Sequence, residues 1–265
     1  MTRSHARKRP VLLTAYAVLF LLFLYVPILL VPAFSFNDGT IVAFPLQGFT
    51  TRWYGELSRS PELLAALRHS LVVGACVSVL ATGLGTLGAW VVTRYPLPGK
   101  APVTGFIMLP IVAPLVVLAG ALFLLVQTVG VGLSLYTVGL GHLIVCLPFA
   151  FQVMRSRLES FDDSVLKASR DLGEGRVATF LRVVLPISAP GIISSLLLTF
   201  TLSFDEFVLS FFLSSTEVTL PVYIWSQLRF PGRLPVVLAL GSLILLASFV
   251  LVVLGEVLRR WRTDD

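Results

Sequence analysis

Asp163 to Pro190 reads DSVLKASRDLGEGRVATFLRVVLPISAP. It is the one long polar segment with helical periodicity in a chain that is otherwise mostly apolar. Asp162 and Asp163 suit a helix start, where carboxylates cap free N–H groups and meet the positive end of the dipole. Val165, Ala168 and Leu172 recur three and four residues apart, which predicts one helical face. Gly173 can take the left-handed conformation that ends a helix. Beyond Gly175 a second short helix is predicted, with Val177, Phe180, Leu181 and Val184 on its apolar side. Pro186 and Pro190 close the segment before a new apolar run begins. The stretch reads as a helix–turn–helix knob between two membrane spans.

The surrounding composition supports that setting. Of 265 residues 56% are hydrophobic and 13% charged, and the mean hydropathy is +0.92. So little charge would not keep a soluble domain in solution, and apolar runs of about 18 residues or more argue for spans. Six are predicted, at about 11–34, 64–93, 103–128, 133–154, 188–213 and 235–258, in a single transmembrane domain over 1–265. The polar loop is then 155–187. Pro110 and Pro114 interrupt the third span. The start, RSHARKRP followed by an apolar run, imitates a secretory signal. No small-x-small cleavage site follows, so a retained first span is expected. Trp53 and Tyr54, in the polar loop after it, suit a membrane interface. Gly74, Gly83, Gly85 and Gly88 in the second span suit close helix packing.

Orientation follows from the basic residues. Fifteen of the twenty Lys and Arg fall on one side, among them Arg94, Lys100, Arg155, Arg157, Arg170, Arg176 and Arg182; five, Arg52, Arg59, Arg68, Arg229 and Arg233, fall on the other. The positive-inside rule puts both termini and the central loop in the cytoplasm. The +6 charge is thereby explained without nucleic acid. Cys76 and Cys146 lie in different apolar runs with no ligand neighbours, as buried free thiols do.

The central loop resembles the signature loop of ABC-importer permeases. That pattern is Glu-Ala-Ala, three residues, Gly, nine residues, Ile-x-Leu-Pro. Here Lys167-Ala168-Ser169 stands first, Gly173 follows at the right spacing, and Val183-Val184-Leu185-Pro186 closes it. Lys167 replaces an acid and Ser169 an alanine. The resemblance implies an all-α integral membrane protein of the type I importer kind, with six transmembrane helices. It also implies that the loop is a coupling helix docked on a cytoplasmic ATPase. The ATPase-coupling residues would be Lys167, Ala168, Ser169, Asp171, Leu172, Gly173, Leu185 and Pro186.

Within that family, FSFND at Phe34–Asp38, Phe200 to Leu213 and TLPVYIWSQLRF at Thr219–Phe230 look like the polyamine importers. Those systems imply an inner-membrane, multi-pass permease in membrane lipid, paired with a second permease subunit. A dimeric ABC ATPase drives transport, and an extracytoplasmic solute-binding protein delivers putrescine or spermidine. Other organic cations, amino-acid derivatives or metal complexes are the alternative cargoes.

Asp205 and Glu206 are the sharpest feature outside the loop. They interrupt an apolar run, TFTLSFDEFVLSFFLS. A charge at membrane depth costs ~2.5–3.5 kcal/mol on insertion scales and usually faces a cavity or a partner. They are candidate acids on a cation's path, with Phe204 beside them and Tyr223 and Trp225 able to stack on a cation. The alternative is a place at the membrane boundary or a subunit contact. His142 reads as a packed or interface residue rather than a ligand, and His69, at the head of the second span, as a structural residue placed to hydrogen-bond a neighbouring span. No GxxxxGK[ST], HExxH or GxSxG pattern occurs, so ATP hydrolysis is expected on another chain, with no catalytic residue, cofactor or metal here. A secondary transporter is a rival; the knob and the absence of evident inverted repeats oppose it. A membrane enzyme lacks a catalytic cluster.

Overall fold

The computed structural model describes residues 11–96 and 98–261. Arg3, Arg7, Lys8, Arg9 and Arg262, which entered the orientation argument, lie outside them. In order, α1 is Val11–Ser35, α2 Arg52–Ser58, α3 Pro61–Arg94, α4 Lys100–Val112, α5 Leu115–Val129 and α6 Leu135–Glu159. α7 is Asp163–Asp171 and α8 Arg176–Thr179; a π-helical turn, Phe180–Val184, leads into α9, Leu185–Ile187. α10 is Ala189–Phe204, α11 Val208–Leu213, α12 Leu220–Gln227 and α13 Leu234–Trp261. Among the described residues there is no strand, only an isolated bridge between Asn37 and Phe49.

Four stretches are long and apolar enough to cross a membrane: Leu12–Ser35, Pro61–Arg94, Leu135–Glu159 and Pro231–Val250. Two helix pairs reach that length only when taken together. α4 and α5 meet at 103°, where Pro114 follows the last turn of α4, and Arg176–Ile187 meets α10 at 71°. Counting each pair as one span gives six. The 34 residues of α3 span about 51 Å at 1.5 Å per residue, more than the ~30 Å hydrocarbon core.

Packing groups the chain into two compact units, Met1–Pro61 with Ile224–Asp265, and Glu62–Tyr223. In the first, α1 is apolar all round and exposed from Leu12 to Leu30, as suits lipid or another membrane helix. Gly241 of α13 meets Val31 of α1, where an added Cβ would lie 3.2 Å from Val31 Cγ1. Trp53, expected at an interface, is instead buried, and its Nε1 donates to the Asn37 carbonyl at 2.8 Å. An indole enclosed by apolar groups needs that acceptor. Tyr54 Oη pairs with Ser35 Oγ (2.6 Å) and donates to Ser242 Oγ (3.3 Å), tying α2 to α1 and α13.

In the second unit two apolar clusters join α3 and α6, the first with α5 and α11 and the second with α7 and the π-helical turn. One holds Val73, Val77, Ala81, Val138, Cys146, Ala150, Leu209 and Leu213. The other holds Ala89, Trp90, Phe151, Met154, Leu158, Phe161, Leu166 and Val184. Small residues let backbones approach closely. At Gly85 an added Cβ would lie 2.7 Å from Phe151 N and 2.8 Å from Ala150 Cβ; at Gly83 it would meet nothing within 4 Å. His69 Nδ1 lies 3.0 Å from the Val218 carbonyl, and Ser70 Oγ accepts from Leu220 N–H at 2.8 Å. Both histidines of the described residues are thus hydrogen-bonded to other elements.

Gly85→Ala should therefore destabilise the detergent-purified protein by about 1–3 kcal/mol, through overpacking. Gly83→Ala should be neutral or slightly stabilising. Thermal midpoints check this, and equal midpoints would contradict the close α3–α6 approach.

Candidate functional site

The quoted loop is built as a helix with two unlike faces. Asp162 is the N-cap of α7, and its Oδ1 accepts from Ser164 N–H at 2.8 Å. That backbone bond, followed by the Ser164 hydroxyl and the charge of Lys167, holds the Asp162 carboxyl below the usual carboxylate range. The cap's contribution is therefore present at neutral pH and is lost as acid protonates the group. At the other end Gly173 has φ +87°. Gly173 N–H donates to the Arg170 carbonyl (2.9 Å) and Glu174 N–H to Ser169 (3.2 Å), the paired bonds of a Schellman cap.

The inward face of α7 is Leu166 and Ser169. Leu166 packs with Trp90, Phe151, Met154, Leu158 and Phe161. Ser169 Oγ is buried 3.0 Å from Thr179 Oγ1, tying α7 to α8. The departure from alanine at 169 is thus an internal hydrogen bond rather than a change on the outer face. The outward face is the predicted apolar one: Val165, Ala168 and Leu172 are exposed, Leu172 at 85%. Lys167 and Asp171 are exposed on its flanks. Leu166 and Ser169 thus hold α7 to the protein, and three apolar residues share the side left in the open.

The second half of the loop differs from expectation. Its four apolar residues do not share a side: Val177 and Leu181 are exposed, Phe180 lies tilted against Trp90 at 5.3 Å between centroids, and Val184 is fully buried. The π-turn at Phe180–Val184 shifts the register. Pro186 and Pro190 do not end the helical path, because each lies in the first turn of a helix, where a missing N–H costs nothing. Leu185 lines a cavity of about 350 Å³ with Thr82, Thr86, Phe180 and Leu196, while Pro186 is exposed. Both sit at the kink, on a different element from Lys167, Ala168 and Leu172.

Arg157 holds that kink. Its Nη2 donates to the Ile187 carbonyl at 2.8 Å, and its stem covers Gly191, where an added Cβ would lie 2.8 Å from Arg157 Cγ. Arg94 does the same for the end of α6, donating to the Leu158 (2.7 Å) and Phe161 (3.1 Å) carbonyls. In the sequence both are basic residues at the ends of apolar runs, and that position is the signal that marks them as candidates to meet helix-end carbonyls.

The run expected as one span over 188–213 is broken at the acids. α10 ends at Phe204, Asp205 is its C-cap, and α11 starts at Val208. Glu206 Oε1 accepts from Leu209 N–H at 3.0 Å, supplying an acceptor that a continuous helix would have taken from its own backbone. Glu206 is half-buried and Asp205 exposed. Asp205 thus stands at the negative end of α10 and Glu206 at the positive end of α11. Phe204 stacks on Phe200, 5.8 Å between centroids. The break gathers Phe204, Asp205 and Glu206. Tyr223, half-buried, and Trp225, exposed, lie on α12 instead. No group of three metal-ligating side chains occurs among the described residues.

Residues 81–264 match the family model described as the binding-protein-dependent transport system inner membrane component. The chain belongs to this family. Among relatives of this permease, the spermidine/putrescine transport system permease protein PotC of Escherichia coli (strain K12) is 34% identical over 243 residues, 91% of each chain. The putrescine transport system permease protein PotI of the same strain is 35% identical over 248 residues, covering 89% of this chain and 88% of its own. A chain from the crystal structure of a bacterial ABC transporter involved in import of the acidic polysaccharide alginate superposes with a TM-score of 0.71, over 98% of this permease and 99% of that chain. At 18% identity this likeness speaks to the fold alone. The chain is a multi-pass, non-catalytic permease subunit of an inner-membrane ABC importer.

The loop geometry yields a direct test. A β-branched residue at φ +87° is strained, whereas Asn tolerates the left-handed region. No atom lies within 4 Å of a Cβ built there, so the effect is conformational. Gly173→Val should raise limited proteolysis of the loop about tenfold, and Gly173→Asn should leave it near the parent rate. Equal protection of both variants would contradict the cap.

Proposed function

We propose that this permease moves a polyamine, putrescine or spermidine, inward past Asp205 and Glu206. ATP hydrolysis on a separate dimeric subunit, docked on the Val165–Ala168–Leu172 face of α7, drives the movement. Both termini and the loop are then cytoplasmic, in accord with the basic bias. The two compact units act as one six-span permease domain. A second permease subunit completes the pathway, and an extracytoplasmic solute-binding protein supplies the cargo.

The observation that carries the cargo reading is the exposed carboxylate of Asp205 at a break in an apolar helix pair. The C-terminal end of α10 repels it, so an ammonium group relieves two negative partners at once. Two charges 4 Å apart gain about 1 kcal/mol in water and about 4 at an effective dielectric constant of 20. Such a contact recognises a cation and still releases it. The names of PotC and PotI support polyamine cargo. A different cargo is the second reading, since the same fold serves an importer of an acidic polysaccharide.

The test is putrescine uptake into vesicles holding the complete transporter. Asp205→Asn should lower uptake roughly tenfold, about 1.4 kcal/mol. Glu206→Gln should be milder, because the amide oxygen still accepts from Leu209. Ala168→Asp should abolish uptake by charging the docking face, and Lys167→Glu should be tolerated on its exposed flank. Unchanged uptake in the Asp205→Asn, Glu206→Gln double variant would remove the acids from the path.

A further inference from the structure

His142 is 1% exposed in the first turns of α6 and faces the break between α10 and α11. Its Nδ1 lies 2.8 Å from Ser203 Oγ, in the last turn of α10. Its Nε2 lies 3.0 Å from Ser210 Oγ, in α11. A neutral imidazole donates at one nitrogen and accepts at the other, and a hydroxyl does either, so both tautomers satisfy all three groups. One ring thus spans the discontinuity that carries Asp205 and Glu206.

Other contacts show that α11 is held rather than loosely packed. Thr137 Oγ1 donates to the Leu213 carbonyl at 2.8 Å, at the far end of α11. Gly141 admits Leu213 so closely that an added Cβ would lie 2.6 Å from Leu213 Cδ1. Glu206 holds the near end through Leu209 N–H. Thr137, Gly141 and His142 all belong to α6. Of these contacts, only the His142 pair reaches both half-helices. A polar ring at this depth is expensive unless partnered, and an apolar side chain would pack here at less cost.

We infer that His142 is a positioning residue that pins α11 to α10 and so sets where the Asp205–Glu206 segment lies in the transport path. The inference rests on the reading that this segment is on the path; its test does not depend on the charge of the acids. The imidazole touches no cargo and acts through the two half-helices.

The experiment uses the complete transporter in vesicles, with putrescine as cargo. His142→Leu keeps bulk and removes both hydrogen bonds. His142→Gln keeps one donor and one acceptor. Ser210→Ala removes one partner. Two quantities are read per assembled complex: putrescine moved per ATP hydrolysed, and the reaction rate of a thiol placed by Asp205→Cys, in a Cys76→Ser background, with a membrane-impermeant maleimide. His142→Leu should lower the transport ratio about tenfold and change the labelling rate by a similar factor. His142→Gln should stay within about threefold of the parent, and Ser210→Ala combined with His142→Leu should be no worse than His142→Leu alone. An unchanged ratio and labelling rate in His142→Leu would overturn the inference. Equal defects in His142→Leu and His142→Gln would also overturn it, as would a loss confined to the yield of complex. If the acid variants are silent while His142→Leu shifts both quantities, the pin stands and the carboxylates leave the path.

Discussion

A backbone N–H or C=O group in hydrocarbon has no water to bond, so each break in a membrane helix must be satisfied by protein. This permease meets that constraint at named positions. The kink before α10 frees the Ile187 carbonyl, and Arg157 takes it. Past the end of α6, Arg94 donates to the Phe161 carbonyl and adds a second donor to that of Leu158, which already accepts from Phe161 N–H. At the break after Phe204, Glu206 accepts from Leu209, and at the far end of α11 Thr137 donates to the Leu213 carbonyl. These discontinuities are therefore specified features, and both candidate functional segments, the loop and the acids, adjoin them.

α6 links the two segments. Its last turns contribute Met154 and Leu158 to the cluster that seats Leu166 of α7. Its first turns carry Thr137, Gly141 and His142, which hold α11. The helix has 25 residues, about 37 Å at 1.5 Å per residue. Under the proposed docking, α6 joins the central loop to the acids through the cluster at its end and the residues at its start. The proposed coupling needs such a path between a cytoplasmic dock and a substrate gate.

Much of this was legible in the residues. The loop spacing located the glycine that ends α7, and the 3.6 period identified Val165, Ala168 and Leu172 as one stripe. Periodicity alone did not say which side the body of the protein lies on. Leu166 and Ser169, one position along, face inward, and the apolar stripe faces out. An apolar run likewise does not reveal a break when side chains elsewhere satisfy the backbone, so the span expected over 188–213 concealed the gap at Asp205–Phe207. His142 read as a packed histidine; its partners, Ser203 and Ser210, lie on either side of that unseen gap. Trp53 suited an interface by type, yet the fold placed an acceptor, the Asn37 carbonyl, beside its indole.

The central claim is that the outward face of α7 is where the ATPase docks. Single cysteines introduced by Leu172→Cys and Leu166→Cys, in the complete transporter with a short thiol-to-amine crosslinker, test it most directly. Leu172, at the C-cap of α7, is 85% exposed, and Leu166, on the face turned to the core, is 6% exposed. The account predicts a crosslink from position 172 to the ATPase subunit, and none from 166. A crosslink from neither position, or reaction of the 172 thiol only with reagent supplied from the extracytoplasmic side, would contradict it.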